Sequence, residues 1–192
     1  MDLDNHSNNS YLLSSKYQLM KNLLIICSIL FSFVVNAQQG YPIPPKSENR
    51  LFYIQHNDNK NTFVYDALFS SKGILDDDNP VDIYRILYAE DGSKKPLTSI
   101  QKKLAYGLDI KKIEKNVFQL TLVSYPTQKL TLKLDSQKNP IVQTTVNNKL
   151  ITLNRVFLKQ KKGTAGISVK LDYILFYGKD KNGKSVEEKI VL

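Results

Sequence analysis

Sulfur, imidazole and indole are nearly missing from this chain. Its 192 residues include one cysteine, two histidines and no tryptophan. Cys27 lies inside an apolar run from Leu23 to Val35 that only Ser28 and Ser32 interrupt. Met20-Lys21-Asn22 precedes the run, and Val35-Asn36-Ala37 closes it. A charged start, a short apolar stretch and a small-residue end read as a secretory signal peptide, with cleavage expected after Ala37. The run falls short of the roughly 20 residues a membrane-spanning helix needs. Leu24-Ile25-Ile26 lack the small residues of a lipoprotein-processing site, so Cys27 is expected to leave with the signal. Either Met1 or Met20 can serve as the start. The mature chain, Gln38 to Leu192, is then cysteine-free, which excludes disulfides, thiolate zinc sites and cysteine nucleophiles. Its place is outside the cytoplasm, in the periplasm or beyond.

The shortage of histidine removes further chemistry. His56 alone remains after cleavage. A Ser-His-Asp triad would have to run through it, and no Gly-x-Ser-x-Gly elbow presents a serine. A histidine metal site lacks partners. Asp76-Asp77-Asp78-Asn79 fails as a calcium loop: Pro80, Val81 and Leu87 stand where a ligand, a glycine and a glutamate are required. It reads as a turn, as does Asp180-Lys181-Asn182. Glu187 and Glu188 are neighbours on a strand and point to opposite faces. No catalytic constellation and no cofactor are expected.

Charge is plentiful and of one sign. The net charge is +9, and residues 1–37 hold two basic and two acidic groups, so cleavage leaves it unchanged. The lysines are scattered in small groups from Lys94-Lys95 to Lys184, the pattern of a solvated surface. With export, nucleic acid is not expected as a partner. Arginine is scarce: only Arg50, Arg85 and Arg155.

Gln38 to Asn49 contains Tyr41-Pro42-Ile43-Pro44-Pro45 and reads as a linker, because proline lacks the donor a central strand needs. About 155 mature residues suit one domain with its own core. Strand patterns follow over Arg50–His56, Thr62–Phe69, Val81–Ala89, Val117–Tyr125, 130–134, Ile141–Val146, Leu150–Leu158, Ile167–Tyr177 and Ser185–Val191. Asp91-Gly92, Asn147-Asn148 and Asn182-Gly183 mark hairpin turns. Thr98 and Gln101 fit a capping box. Ile100, Leu104 and Leu108 recur at helical spacing, which predicts a short helix from Thr98 to Tyr106. Gly107 is expected to end it in the left-handed region, and the apolar stripe to cover an end or edge of the sheet. The fold class is mainly β: a single antiparallel β-sandwich or barrel of about nine strands with one short α-helix, 50–192.

Arg50, Arg85 and Arg155 can hold a carboxylate or phosphate bidentately, where lysine acts as a point charge. Structural ion pairs with Asp66, Asp82 or Asp172 are the plainer use. Tyrosine offers an apolar body with a hydrogen-bonding tip. The candidate ligand-binding set is therefore Arg50, Tyr53, Tyr84, Gln101, Tyr106 and Arg155.

Several segments resemble one bacterial family, domain of unknown function 4833. They are Asn49-Arg50-Leu51-Phe52-Tyr53-Ile54-Gln55, Asn61-Thr62-Phe63-Val64-Tyr65-Asp66, and Asn79-Pro80-Val81 followed by Ile83-Tyr84. Ile100-Gln101 with Leu104-Ala105-Tyr106-Gly107, Tyr173 to Asp180, and Glu188-Lys189-Ile190 continue the pattern. Lys111 to Lys162 contributes little. The resemblance implies a small exported domain of a Gram-negative envelope and supplies no activity or catalytic residue. The leading expectation is a monomeric, non-enzymatic binding module for a small amphipathic or anionic ligand. The alternative is a structural or protein-interaction domain of the envelope.

Overall fold

The sheet divides at one strand. The computed structural model describes residues 40–192, except Ala165 and the side chain of Ile167; the signal-peptide reading of Met1 to Ala37 lies outside the described residues. Strands are β1 (Arg50–His56), β2 (Thr62–Ala67), β3 (Val81–Ile86), β4 (Lys94–Pro96), β5 (Leu108–Glu114), β6 (Val117–Leu122), β7 (Tyr125–Leu134), β8 (Pro140–Val146), β9 (Lys149–Gln160), β10 (Leu171–Lys179) and β11 (Ser185–Val191). One short helix, α1 (Ser99–Leu104), precedes β5. Along one edge β9 pairs antiparallel with β10 from Thr152 to Gln160. Along its other edge the first half, Lys149–Leu153, meets β8 antiparallel, and the second half, Arg155–Leu158, meets β1 parallel. Two wings leave this fork, β8-β7-β6-β5 and β1-β2-β3-β4, while β10 and β11 continue the common side.

The fold is thus mainly β, with one short α-helix among the described residues, but the sheet is mixed and open, a half-barrel in outline, where an antiparallel sandwich or barrel was expected. The parallel β1–β9 contact makes it mixed. A parallel pair cannot be closed by a hairpin, and seven strands of chain separate these two. Among the described residues the free edges lie on β4, β5 and β11.

Between the wings the inner faces form one core. Phe52, Ile54, Phe63, Tyr65, Phe118, Leu120, Leu132 and Ile151 are almost wholly excluded from water, each contributing roughly 1.5–3 kcal/mol by burial. Phe52 and Tyr65 stack with ring centroids 4.3 Å apart. The Tyr65 hydroxyl, fully buried, donates to the Tyr106 carbonyl at 2.7 Å. The turn residues act as read: Asn147 and Asn148 both have positive φ, as do Gly92 and Gly183. The expected strand Val117–Tyr125 is instead β6 to Leu122, a turn at 123–124 and the start of β7 at Tyr125, with Pro126 one residue inside β7.

The α1 cap forms as expected. Thr98 Oγ1 accepts from the Gln101 amide at 3.2 Å, and the Thr98 amide donates to Gln101 Oε1 at 3.1 Å. Two expectations about this helix fail. Gly107 is not left-handed; it is required because a Cβ there would overlap the Lys102 carbonyl. The apolar stripe does not hold together: Ile100 is 66% exposed and Leu104 61%, while Leu108 leaves the helix to open β5 and packs against the core. Residues 42–49, read as linker, lie along the sheet. Gln55 Nε2 donates to the Pro42 carbonyl at 2.8 Å, the Ala67 amide donates to the Asn49 carbonyl at 2.7 Å, and Pro44 is buried.

Candidate functional site

The inner faces do not fill the space between them. Where β9 and β10 leave the core, a cavity of about 360 Å³ opens. Its wall is built from alternate residues of neighbouring strands: Ile54 on β1, Leu153, Val156 and Leu158 on β9, Ile174 and Phe176 on β10. The strand period of two puts Val156 with Leu158 and Ile174 with Phe176 on one face, and Leu153 joins them across the register shift that pairs Tyr177 with Arg155 and Gly178 with Leu153. Nearly all of the wall is apolar. Polar groups come from loops and strand ends: Tyr106, Ser124, Tyr125, Gln128 and Lys170. Ser124 Oγ donates to the Ala105 carbonyl at 2.6 Å, which leaves its lone pairs able to accept. Gln128 Nε2 donates to Thr144 Oγ1 and to the Thr145 carbonyl, so its amide is fixed at the wall. The volume lies within the range of small-molecule pockets, where apolar walls and a few placed polar groups are the rule.

Tyr106 forms one wall and is held by stacking. Its ring lies against Phe63 with centroids 3.4 Å apart, and His56 follows at 6.4 Å. Burial, reinforced by the Asp58 carboxylate, pushes the Tyr106 hydroxyl well above the usual phenol range, so it stays neutral. Burial lowers the His56 pKa, against a smaller opposing pull from Asp58. Among the described residues His56 Nδ1 is buried without a hydrogen-bond partner, and the ring packs against Phe63 and Tyr106.

The six sequence candidates fall in three places. Arg50, Tyr53, Tyr84 and Arg155 come together on the outer face, where cross-strand pairing sets Tyr177, Arg155, Tyr53, Val64 and Tyr84 in one row across β10, β9, β1, β2 and β3. There Arg50 Nε donates to Asp66 Oδ1 and Nη2 to the Tyr84 hydroxyl, which donates to Asp66 Oδ2 at 2.8 Å. Burial first, then the hydrogen bond to Asp66, raises the Tyr84 pKa to about 12. Burial also raises that of Tyr53, against the opposing charges of Arg155 and Arg50. The Arg155 guanidinium carbon lies 4.8 Å from the Tyr177 ring centroid, a cation–π arrangement. Tyr106 alone of the six lines the cavity, and Gln101 serves the helix cap. Sequence reasoning missed Val156, Leu158, Ile174 and Phe176 as wall residues, because their alternation is the same signal that marks a filled core.

Acidic clusters act structurally. Asp76 Oδ1 accepts from the amides of Asp78 and Asn79, and Asp77 pairs with Lys112 at 2.7 Å. Among the described residues no three His, Cys, Asp or Glu side chains converge on a metal position, and no helix is long and apolar enough to cross a membrane.

The family model for domain of unknown function DUF4833 matches residues 52–189. The chain belongs to this family. The match runs through Lys111–Lys162, where the resemblance was thin, and takes in both wings of the DUF4833 sheet and every strand that lines the cavity. No curated protein and no solved structure matches this DUF4833 chain.

Proposed function

We propose that this DUF4833 domain is an exported, non-enzymatic binding module for a small amphipathic molecule. The observation that carries the reading is the apolar cavity of about 360 Å³ between the wings, ringed by Tyr106, Ser124, Gln128 and Lys170. An apolar tail lies against the inner face of the paired strands β9 and β10 and is removed from water at roughly 25 cal/mol per Å². The polar end stays at the rim, where a hydroxyl, an amide and an ammonium can meet it. Export is supported by the charged, apolar, small-residue order of Met20 to Ala37.

The anionic end of such a ligand meets Lys170 in this reading, not Arg50, whose fork is taken by Asp66 and Tyr84. The test is titration with the fluorophore 1-anilinonaphthalene-8-sulfonate followed by displacement with a medium-chain fatty acid. Wild type is expected to bind and release the probe saturably. The Val156→Phe variant, which adds a ring to the cavity wall and narrows it, is expected to weaken binding while remaining folded. Equal probe binding by both proteins sinks the reading.

A second reading, a protein-interaction domain, is favoured by one observation. The edge strand β5 is solvent-exposed along almost its whole length and presents Ile113 at 54% exposure, and free edges recruit strands.

A further inference from the structure

The cavity opens beside an unusual stretch of surface. Helix α1 turns Ile100 and Leu104, one turn apart on one face, out to water. Its last turn carries Lys102 and Lys103. The residues that follow run straight to the cavity: the Ala105 carbonyl is held by Ser124, and Tyr106 is wall. Across the opening, the loop between β9 and β10 ends at Lys170, also wall. Residues 97–107 and 161–170 together hold five lysines, Lys102, Lys103, Lys161, Lys162 and Lys170, and no acidic residue. Elsewhere on the domain lysines alternate with carboxylates, as in Lys94–Asp82 and Lys149–Glu188.

We infer that this end of the domain docks on an anionic lipid bilayer, with Ile100 and Leu104 entering the headgroup boundary and the lysines meeting lipid phosphates. Apolar helix faces flanked by basic residues lie in the interface in this way; Lys103 borders the Ile100–Leu104 face while Lys102 lies on the far side of α1, and a negative membrane surface attracts each nearby lysine. Charge complementarity selects the partner: five lysines in these two segments outnumber Asp58, the carboxylate that acts on Tyr106, and suit a polyanionic surface better than a protein patch of evenly mixed sign. Continuity with the opening supplies the purpose, since an amphipathic ligand would pass between bilayer and cavity without crossing water. That purpose rests on the cavity reading; the docking itself does not.

The test is co-sedimentation of the chain from Gln38 to Leu192, which contains the whole compact unit Pro42–Leu192, with vesicles of pure phosphatidylglycerol and of pure phosphatidylcholine. Sedimentation with the anionic vesicles only, weakened by salt as exposed charges are screened, is expected. Lys102→Glu with Lys103→Glu is expected to weaken it about tenfold or more, and Ile100→Ser with Leu104→Ser to weaken it as well. These four side chains are not part of the core, and circular dichroism checks that the variants fold. Sedimentation with neither vesicle, or equally with both, overturns the inference and leaves the helix face to a protein partner. Unaltered binding by both double variants overturns the assignment to α1. The Val156→Phe protein, with its narrowed cavity, separates the two claims: it is expected to sediment like wild type, so a failure of the cavity reading does not remove this readout.

Discussion

Arg50 and Asp66 face each other across β1 and β2, with Nε 2.5 Å from Oδ1 and both side chains about 15% exposed. Tyr84, one strand further, closes the triangle through Asp66 Oδ2 and Arg50 Nη2. Removing one member of a largely buried charged pair strands the other. Asp66→Asn is therefore expected to destabilise the domain by about 2 kcal/mol, within the range for hydrogen bonds to charged groups. Tyr84→Phe, which leaves the ion pair intact, is expected to cost less. Urea unfolding of both variants measures the difference; equal losses would show that the pair has no standing of its own.

His56 makes stability depend on pH. Its folded pKa is lowered from 6.5, chiefly by burial, while Asp58 pulls weakly the other way. The unfolded chain then takes up the proton more readily than the native one. The contribution is complete above about pH 6.5 and is lost as pH falls from there toward the folded pKa, with a slope of at most about 1.4 kcal/mol per pH unit. Carboxylates such as Glu188, held low by hydrogen bonds from Lys149 and Asn147, lose their contribution at more acidic pH. A His56→Gln variant is expected to flatten the stability profile just below pH 6.5. An unchanged slope there would remove His56 as its cause.

Gly178 is fixed by its neighbour. It follows a register shift in the β9–β10 pairing, and a Cβ on it would overlap the Thr152 carbonyl and press on Ile151 Cγ2 at 2.5 Å. The contact is with backbone, which cannot rotate away. Gly178→Ala is expected to cost about 1–3 kcal/mol, the range for overpacking, read as a lower melting temperature. A neutral result would mean that the β9–β10 pair shifts freely.

Local pattern carried much of this fold. β1 and β11 have the bounds their alternation indicates, and the Thr98 cap follows from Ser99-Ile100-Gln101 alone. What escaped depends on distant partners or on empty space. β5 has the sequence Leu-Asp-Ile-Lys-Lys-Ile-Glu; it alternates only from Leu108 to Lys111, a register shift between Lys112 and Glu114 breaks the period, and almost all of it is exposed. The fork depends on β1 finding the second half of β9, which no local period encodes. Ile100 and Leu104 show helical spacing, but spacing does not say whether a sheet lies beneath them. The cavity lies among residues whose apolar alternation would look the same had the core been filled.

Cavity volume gives a further expectation. Val156 is buried at the wall, so Val156→Phe places added carbons in existing space and avoids the strain that overpacking brings to a filled core. Its stability is expected to equal or exceed that of wild type by thermal unfolding. Leu153→Ala, which enlarges the void, is expected to cost about 2–5 kcal/mol. The opposite order would mean that the wall has no room.

The central claim is that the cavity holds a small amphipathic molecule, and native mass spectrometry tests it most directly. The protein would be isolated under gentle conditions from the cells that make it, with Val156→Phe prepared in parallel. The expected result is a reproducible added small mass on the wild type, released on denaturation and less abundant on the variant. A bare chain mass for the wild type, or the same added mass at equal abundance on both proteins, would contradict the account.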